Sequence, residues 1–267
     1  MNEFPIGVFD SGIGGLTVAY SIKKKLPQES IIYFGDTKHL PYGEKSSEAI
    51  QKFSKIITDF LIKKKCKAII VACNSASSVA YNKIKSYNSE IPIFNVIDPV
   101  INEINTLNNK NNIGVIGTKT TIESCVYNKK IIKKNKKIKV SSLATPLLAP
   151  MIEEGFINDE ISNTIISNYL SNSKLSNIDH LILACTHYPL IHKKIERFYN
   201  NKVNVIDTTN IIAEYISNTL KRKKMLNGTK KKTTYSFFVS NYTKSFEESA
   251  KFFFKENIAL EEVNLFP

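Results

Sequence analysis

Short apolar runs alternate with segments of helical periodicity along most of this 267-residue chain. This order is typical of α/β folds, in which buried strands form mostly parallel sheets and helices connect them. Candidate strands cover residues 6–10, 31–34, 68–72, 93–97 and 233–239. Candidate helices cover residues 16–26, 47–65, 75–87 and 245–255. We therefore expect an α/β fold with mostly parallel sheets.

The strand pattern restarts near residue 113 and indicates two similar halves. Three matches run in the same order, with separations of 107, 112 and 109 residues: 6–10 with 113–117, 72–73 with 184–185, and 95–98 with 204–207. We expect two pseudo-two-fold related α/β domains. The first comprises residues 1–97 and 208–267, because the tail has no counterpart and is expected to return to it. The second comprises residues 98–207.

Two cysteines occupy matching places in these halves. Cys73 and Cys185 each follow Ala at the end of an apolar run, and each opens a candidate helix. A thiol at a helix N-terminus has a lowered pKa, so we expect thiolate to be accessible near neutral pH. Two such thiols are able to flank a substrate, as moving a proton across a stereocentre requires. Cys66 and Cys125 are interpreted as structural residues.

Two loops are candidate binding segments. Residues 10–17 follow a strand and open a helix, and their glycines let backbone N–H groups approach an anion. The glycine spacing fits neither a dinucleotide site nor a P-loop, so we expect a carboxylate or phosphate site, with a tight turn as the alternative. Residues 35–44 are rich in turn formers and lie at the end of a strand. They are either a binding loop or a surface turn.

The cysteine count and the N-terminal segment favour a cytoplasmic protein. Four cysteines lack Cys-x-x-Cys spacing, which predicts free thiols rather than a disulfide framework or a zinc site. No apolar run reaches the roughly 18 residues of a membrane span, and no secretion signal is evident. We expect no metal and no membrane association.

The net charge of +13 has two interpretations. It is compatible with a nucleic-acid partner. However, the lysines occur in short runs among Asn and Ile, which we interpret as a compositional bias at solvent-exposed positions. Nucleic acid is therefore not the expected partner, and strongly salt-dependent DNA binding would contradict this interpretation.

Several segments together resemble the glutamate racemases of the aspartate/glutamate racemase superfamily, in the family's order and spacing. They are residues 7–18 (GVFDSGIGGLTV), 35–37 (GDT), 41–43 (PYG), 72–74 (ACN) and 184–190 (ACTHYPL). The resemblance extends from about residue 5 to about residue 260. It implies two α/β domains with the active site in the cleft between them, and a cofactor-independent interconversion of L- and D-glutamate that supplies peptidoglycan synthesis.

The resemblance also implies roles for individual residues. Cys73 would handle the α-proton of the D-isomer and Cys185 that of the L-isomer. Asp10, His187 and an acid assigned to Glu153 rather than Glu154 would assist them. The implied substrate-binding residues are Asp10, Ser11, Tyr42, Gly43, Asn74, Ser75, Thr186 and His187. A homodimer is expected, because relatives dimerise.

Two positions depart from the family pattern. Ser75 stands where Thr is usual, which keeps a hydroxyl and loses a methyl group. Thr145 stands where many members have Cys, outside the expected chemistry.

Three alternatives stand beside the function that the resemblance implies. In the first alternative, the substrate is aspartate or another amino acid. His187 argues against aspartate, because aspartate racemases typically have an acidic residue at this position. A second alternative is an added DNA-binding or partner-binding role. A cysteine hydrolase is not supported, because no Cys-His-Asn order occurs.

Overall fold

The computed structural model describes residues 2–88, 90–104, 106, 112–229 and 232–266. The ends of the expected first domain, residues 1 and 267, lie outside this set. The strands are β1 (Ile6–Asp10), β2 (Ile31–Gly35), β3 (Ala68–Val71), β4 (Ile93–Asn95), β5 (Asn112–Gly117), β6 (Lys139–Ala144), β7 (His180–Ala184), β8 (Asn204–Ile206), β9 (Tyr235–Val239) and β10 (Leu260–Glu262).

The helices connect these strands and lie against the sheets. They are α1 (Leu16–Lys25), α2 (Ser47–Lys63), α3 (Asn74–Val79), α4 (Tyr81–Tyr87), α5 (Ile97–Ile104), α6 (Lys119–Glu123), α7 (Val126–Lys134), α8 (Leu148–Glu153), α9 (Glu160–Leu170), α10 (His192–Phe198), α11 (Thr208–Arg222) and α12 (Lys244–Phe254). Four 3₁₀ turns are also present in the described ranges: Thr37–His39, Tyr42–Glu44, Ser173–Leu175 and Tyr188–Ile191.

Within the described residues the strands form two parallel sheets. The first has the order β10-β9-β2-β1-β3-β4, and the second has the order β6-β5-β7-β8. The order β2-β1-β3-β4 thus recurs as β6-β5-β7-β8. Strands β1, β3 and β7 are buried along their whole length, which explains their continuous apolar runs. The predicted α/β fold with parallel sheets is confirmed.

Strand register corrects one of the three sequence matches. Ile93 of β4 pairs with Ile69 of β3, and Val205 of β8 pairs with Leu181 of β7. Ile69 pairs with Gly7 of β1, and Leu181 pairs with Gly114 of β5, so Ile69 and Leu181 have equivalent positions in their sheets. Ile93 and Val205 are therefore equivalent, and their separation is 112 residues, as for the two cysteines. The match that gave 109 was out of register by three residues.

Two predicted elements have different limits in the structure. The strand expected over residues 93–97 ends at Asn95, and α5 begins at Ile97 with Pro99 in its first turn. Asn95 Oδ1 accepts the N–H groups of Ile97 (2.9 Å) and Asp98 (2.8 Å), so its side chain caps the helix. Proline is tolerated there because the first turn needs no N–H donor. The helix expected over residues 75–87 is divided at Ala80.

The C-terminal segment joins the first sheet. Strand β9 pairs in parallel with β2, and β10, which was not predicted from the sequence, pairs with β9. The Thr37 hydroxyl donates to the backbone oxygen of Asn241 (2.6 Å), which ties the loop after β2 to the loop after β9. The six strands of this sheet therefore come from two separated parts of the described sequence.

The two halves share an apolar core behind the strand ends. Helix α1 packs against α11 and α12. Ile13 and Leu16 belong to the same buried cluster as Tyr188 and Ile191. This packing places the loop after β1 against the loop after β7. In the described part of the chain, no helix combines the length and the apolar character needed to cross a membrane.

Candidate active site

The carboxyl ends of three central strands bring the predicted catalytic residues together. Asp10 ends β1, Cys73 follows β3, and Cys185 follows β7. Both cysteine side chains are free thiols, and each residue is 5 % exposed. Ligands of open α/β sheets bind at this edge of the strands. The fold thus places both thiols where a substrate would bind.

Cys73 is the N-cap residue of α3. Its Sγ accepts the N–H of Ala76 (3.5 Å) and lies 3.6 Å from the hydroxyl of Ser11. Burial raises the pKa of Cys73 to about 12, and the negative charge of Asp10 acts in the same direction. The lowered pKa that the sequence suggested for this thiol is therefore wrong, because burial outweighs the helix N-terminus.

Asp10 is fully buried beside Cys73. Its Oδ2 accepts the N–H of Gly12 (3.1 Å), while Oδ1 makes no hydrogen bond within the described residues. Burial raises the pKa of Asp10, and the nearby positive charge of His187 opposes this rise only in part. Since the charges of Asp10 and Cys73 repel, the pair favours holding a proton.

Cys185 has a different neighbour, the His187–Glu153 pair. His187 Nδ1 lies 3.5 Å from Cys185 Sγ, and Nε2 lies 2.7 Å from Glu153 Oε1. Burial alone would lower the pKa of His187, but Glu153 and Cys185 raise it well above its usual value. A protonated His187 places positive charge beside the sulfur. The assignment of the acid to Glu153 agrees with this contact.

The segment after Cys185 differs from the helix expected there. It forms the 3₁₀ turn Tyr188–Ile191, and α10 begins only at His192. Thr145, one of the two departures from the family pattern, has its Oγ1 2.7 Å from the Tyr188 hydroxyl. This position therefore supports the segment that carries Cys185 and His187.

Tyr42 and Gly43 are the buried part of the loop at residues 35–44, in which Lys38, Pro41 and Glu44 are exposed. The Tyr42 hydroxyl donates to Oδ2 of the buried Asp36 (2.6 Å), and Asp36 Oδ1 accepts the hydroxyl of Ser240 (2.7 Å). These bonds hold the buried side of the segment against the loop after β9. The Tyr42 phenol is therefore engaged within the loop, and the backbone oxygens of Tyr42 and Gly43 accept the Thr120 hydroxyl.

The second half contributes residues that the sequence did not single out. The Thr118 hydroxyl lies 2.8 Å from that of Ser75, and the Tyr127 hydroxyl donates to Asn74 Oδ1 (2.8 Å). Thr120 donates to the backbone oxygen of Gly43 (3.0 Å). Thr118 directly follows β5, as Ser11 follows β1. This strand-end position was the available signal for Thr118, whereas nothing local identifies Tyr127.

Two glycines allow the halves to approach each other. A Cβ on Gly14 would lie 2.3 Å from His187 Cε1 and 2.6 Å from Thr186 Oγ1. A Cβ on Gly43 would lie 2.7 Å from Thr118 Cβ. Thr17 Oγ1 donates to the backbone oxygen of Thr186 (2.9 Å), which adds a direct bond across the same contact. Close approach, rather than an unusual backbone angle, requires glycine at both positions.

A separate cavity of about 560 Å³ lies between α1, α10, α11 and α12. It is lined by Thr17, Pro189, Asp207 and Phe253, among others, and by none of the predicted site residues. Within the described ranges, no group of three or more His, Cys, Asp or Glu residues is arranged to hold a metal ion.

Comparisons with known proteins give a consistent result. Residues 16–216 match the family described as Asp/Glu/hydantoin racemase. The chain is 39 % identical over 237 residues to the glutamate racemase of Neisseria meningitidis, covering 89 % of this chain and 87 % of the relative. It is 41 % identical over 253 residues to glutamate racemase 3 of Caldanaerobacter subterraneus, covering 94 % and 91 %.

Among solved structures, the fold is similar to glutamate racemase from Francisella tularensis in complex with D-glutamate. The TM-score is 0.93 at 40 % sequence identity, and the similarity covers 99 % of both chains. Sequence and structure thus agree over nearly the whole length.

Proposed function

This chain belongs to the Asp/Glu/hydantoin racemase family and is an amino-acid racemase, and we propose that it interconverts L- and D-glutamate by transferring protons at two cysteines. One observation carries the mechanism: two buried thiols lie at equivalent strand ends of two similar sheets, each beside its own acid–base partner. The relatives that act on glutamate support the choice of substrate.

In the proposed reaction, the Cys185 thiolate removes the α-hydrogen of L-glutamate as a proton. The electron pair of the broken C–H bond stays on the α-carbon and spreads into the carboxylate. The Cys73 thiol then donates its proton to the opposite face, forming D-glutamate. Cys73 is left as thiolate and Cys185 as thiol, which is the state that accepts D-glutamate for the reverse reaction.

The electrostatics of the site fit this chemistry. The α-hydrogen of an amino acid is a very weak acid, so a thiolate of raised pKa is a useful base. Burial and Asp10 give Cys73 that property. A protonated His187 stabilises negative charge on Cys185, and Glu153 stabilises the protonated imidazole. No cofactor is part of the proposal, because backbone amides and helix N-termini stabilise the growing charge on the carboxylate.

We assign substrate binding to polar groups that surround the two thiols. They are Asp10, Ser11, the backbone of Tyr42 and Gly43, Asn74, Ser75, Thr186 and His187. Asp10, Ser75 and Thr186 are at most 6 % exposed, and we propose that a substrate enters when the halves separate. The proposed moving bodies are residues 1–97 with 208–267, and residues 98–207. Closure would then exclude water from the carbanion.

In the cell, we propose a cytoplasmic homodimer that supplies D-glutamate for peptidoglycan. Free thiols at Cys66, Cys73 and Cys185 fit a reducing compartment. Sedimentation of the purified protein tests the dimer, and D-glutamate supplementation of a depleted strain tests the cellular role. Growth that stays impaired with D-glutamate present would contradict that role.

The test of the activity is incubation with L-glutamate in heavy water. We expect loss of the circular dichroism of glutamate, with one deuterium at the α-carbon of the D-product. Adding pyridoxal phosphate should not change the rate. L-aspartate in a parallel reaction distinguishes the substrates. Folded protein that leaves glutamate unlabelled and unracemised, or that prefers aspartate, would overturn the proposal.

A further inference from the structure

Helix α12 contacts both members of the His187–Glu153 pair. The ring of Phe253 meets the imidazole of His187 edge to face, with centroids 5.3 Å apart and an interplanar angle of 83°. The Ser249 hydroxyl, one turn earlier, donates to the backbone oxygen of Glu153 (3.4 Å). The C-terminal segment of the first sheet therefore reaches the residues that flank Cys185.

The contact with Phe253 restricts the orientation of the imidazole. Glu153 holds Nε2, and Cys185 lies next to Nδ1, but both contacts lie in the ring plane and depend on its rotation. An aromatic ring packed at 83° resists that rotation. Phe253 is 1 % exposed, so the contact is fully desolvated.

Three consecutive phenylalanines allow the contact with His187 to be distinguished from general packing of α12. Phe252 is 47 % exposed, and its ring packs edge to face on that of Phe253 (5.9 Å). Phe254 is buried, but its ring packs on Tyr20 (5.8 Å) and Phe237 (4.8 Å), away from the pair. Of the three, Phe253 is the one whose ring contacts His187. The chain thus contains matched controls for exposure and for core packing.

We propose that Phe253 is a positioning residue that holds His187 in the orientation needed for proton transfer at Cys185. This inference rests on the proposed function. It assigns to α12 an effect on one of the two proton-transfer steps, the step in which Cys185 exchanges the α-proton of L-glutamate. The Cys73 step, which lies beside Asp10, should be unaffected.

The test compares Phe253→Leu with Phe252→Leu and Phe254→Leu. Phe253→Leu should lower kcat about tenfold with little change in KM, whereas Phe252→Leu should match the parent. Since the two enantiomers are equally stable, kcat/KM must change equally in both directions. The informative readout is therefore the α-deuterium isotope effect. For Phe253→Leu we expect it to rise with deuterated L-glutamate and to fall with deuterated D-glutamate.

Phe254→Leu should lower the melting temperature without this asymmetry. Phe253→Tyr should restore most of the rate, because the aromatic ring that packs on His187 remains. If the isotope effects for deuterated L-glutamate and deuterated D-glutamate remained equal in Phe253→Leu, the inference would be overturned. The same asymmetry in Phe254→Leu would also overturn it.

A measurement without turnover separates this inference from the proposed function. The chain has four histidines, so ¹⁵N-histidine NMR can follow His187 alone after assignment with His187→Asn. The His187 signal should be shifted and broadened in Phe253→Leu. In Phe253→Tyr it should stay as in the parent. An unchanged signal in Phe253→Leu would overturn the positioning role, even if the protein racemised another amino acid.

Discussion

The two cysteines have equivalent positions on the backbone and opposite electrostatic surroundings. Cys73 follows β3, caps α3 and lies beside the buried carboxyl of Asp10. Cys185 follows β7, precedes a 3₁₀ turn and lies 3.5 Å from His187 Nδ1. Similar halves therefore supply similar backbone geometry, while a few side chains give the two sulfurs different charged neighbours.

The largest effect should come from removing either thiol. Cys73→Ala and Cys185→Ala should each reduce racemisation by about 10³-fold or more, because each removes the proton carrier for one face. Cys125→Ser, at an exposed thiol, is the control and should keep full activity. Circular dichroism of glutamate measures the rate. Substantial activity in either alanine variant would show that the thiols are not the paired bases.

Asp10→Asn and His187→Asn should each lower kcat by about 10²-fold, since each removes the partner of one thiol. Their signatures should be opposite. The α-deuterium isotope effect should grow for D-glutamate in Asp10→Asn and for L-glutamate in His187→Asn. Identical effects in both variants would mean that the two surroundings do not act on separate steps.

Gly14→Ala tests the contact between the halves. The new Cβ would lie 2.3 Å from His187 Cε1, so the loop or the imidazole must shift. We expect a loss of about 1–3 kcal/mol in the free energy of unfolding and about a tenfold fall in activity. Gly228→Ala, where a Cβ meets nothing within 4 Å, is the control. Denaturant titration compares the two, and equal stabilities would contradict the predicted clash.

The smallest effect concerns stability and pH. The pKa of Asp10 is raised in the folded state from its ordinary value of 3.8, so the folded protein binds this proton more tightly than the unfolded chain does. The resulting stability is complete below pH 3.8 and is lost as the pH rises through the raised pKa. Asp10→Asn should therefore be more stable than the parent at pH 7, by about 1 kcal/mol. The gain should shrink as the pH falls towards 4, and melting curves would show it.

Much of the fold and the centre of the site could be predicted from the sequence. Parallel strands buried on both faces give apolar runs, and such runs end at Asp10, Cys73 and Cys185. The position of Glu153 followed from family spacing, and its contact with His187 agrees with that spacing. These features depend on local order along the chain, which a sequence records directly.

The remaining features depend on packing between distant segments. Tyr127 reaches Asn74 and Phe253 reaches His187 only because helices from different parts of the chain face each other. The pKa of Cys73 was predicted with the wrong sign, because depth of burial is not visible in a strand-end motif. The sequence match between residues 95–98 and 204–207 was out of register for a similar reason. Val and Ile are common in buried strands, so similarity there does not fix alignment.

The pairing of β2 with β9 has a consequence for how the protein is made. Partners such as Asp36 and Ser240 are 204 residues apart, so the first sheet cannot be completed until long after its initial strands leave the ribosome. Contacts between distant residues also form slowly, because the intervening chain must lose entropy first. The second sheet, with all its strands between residues 112 and 206, has no such delay. We therefore expect Cys185 to lie in a folded sheet before the loop that carries Tyr42 is held in place.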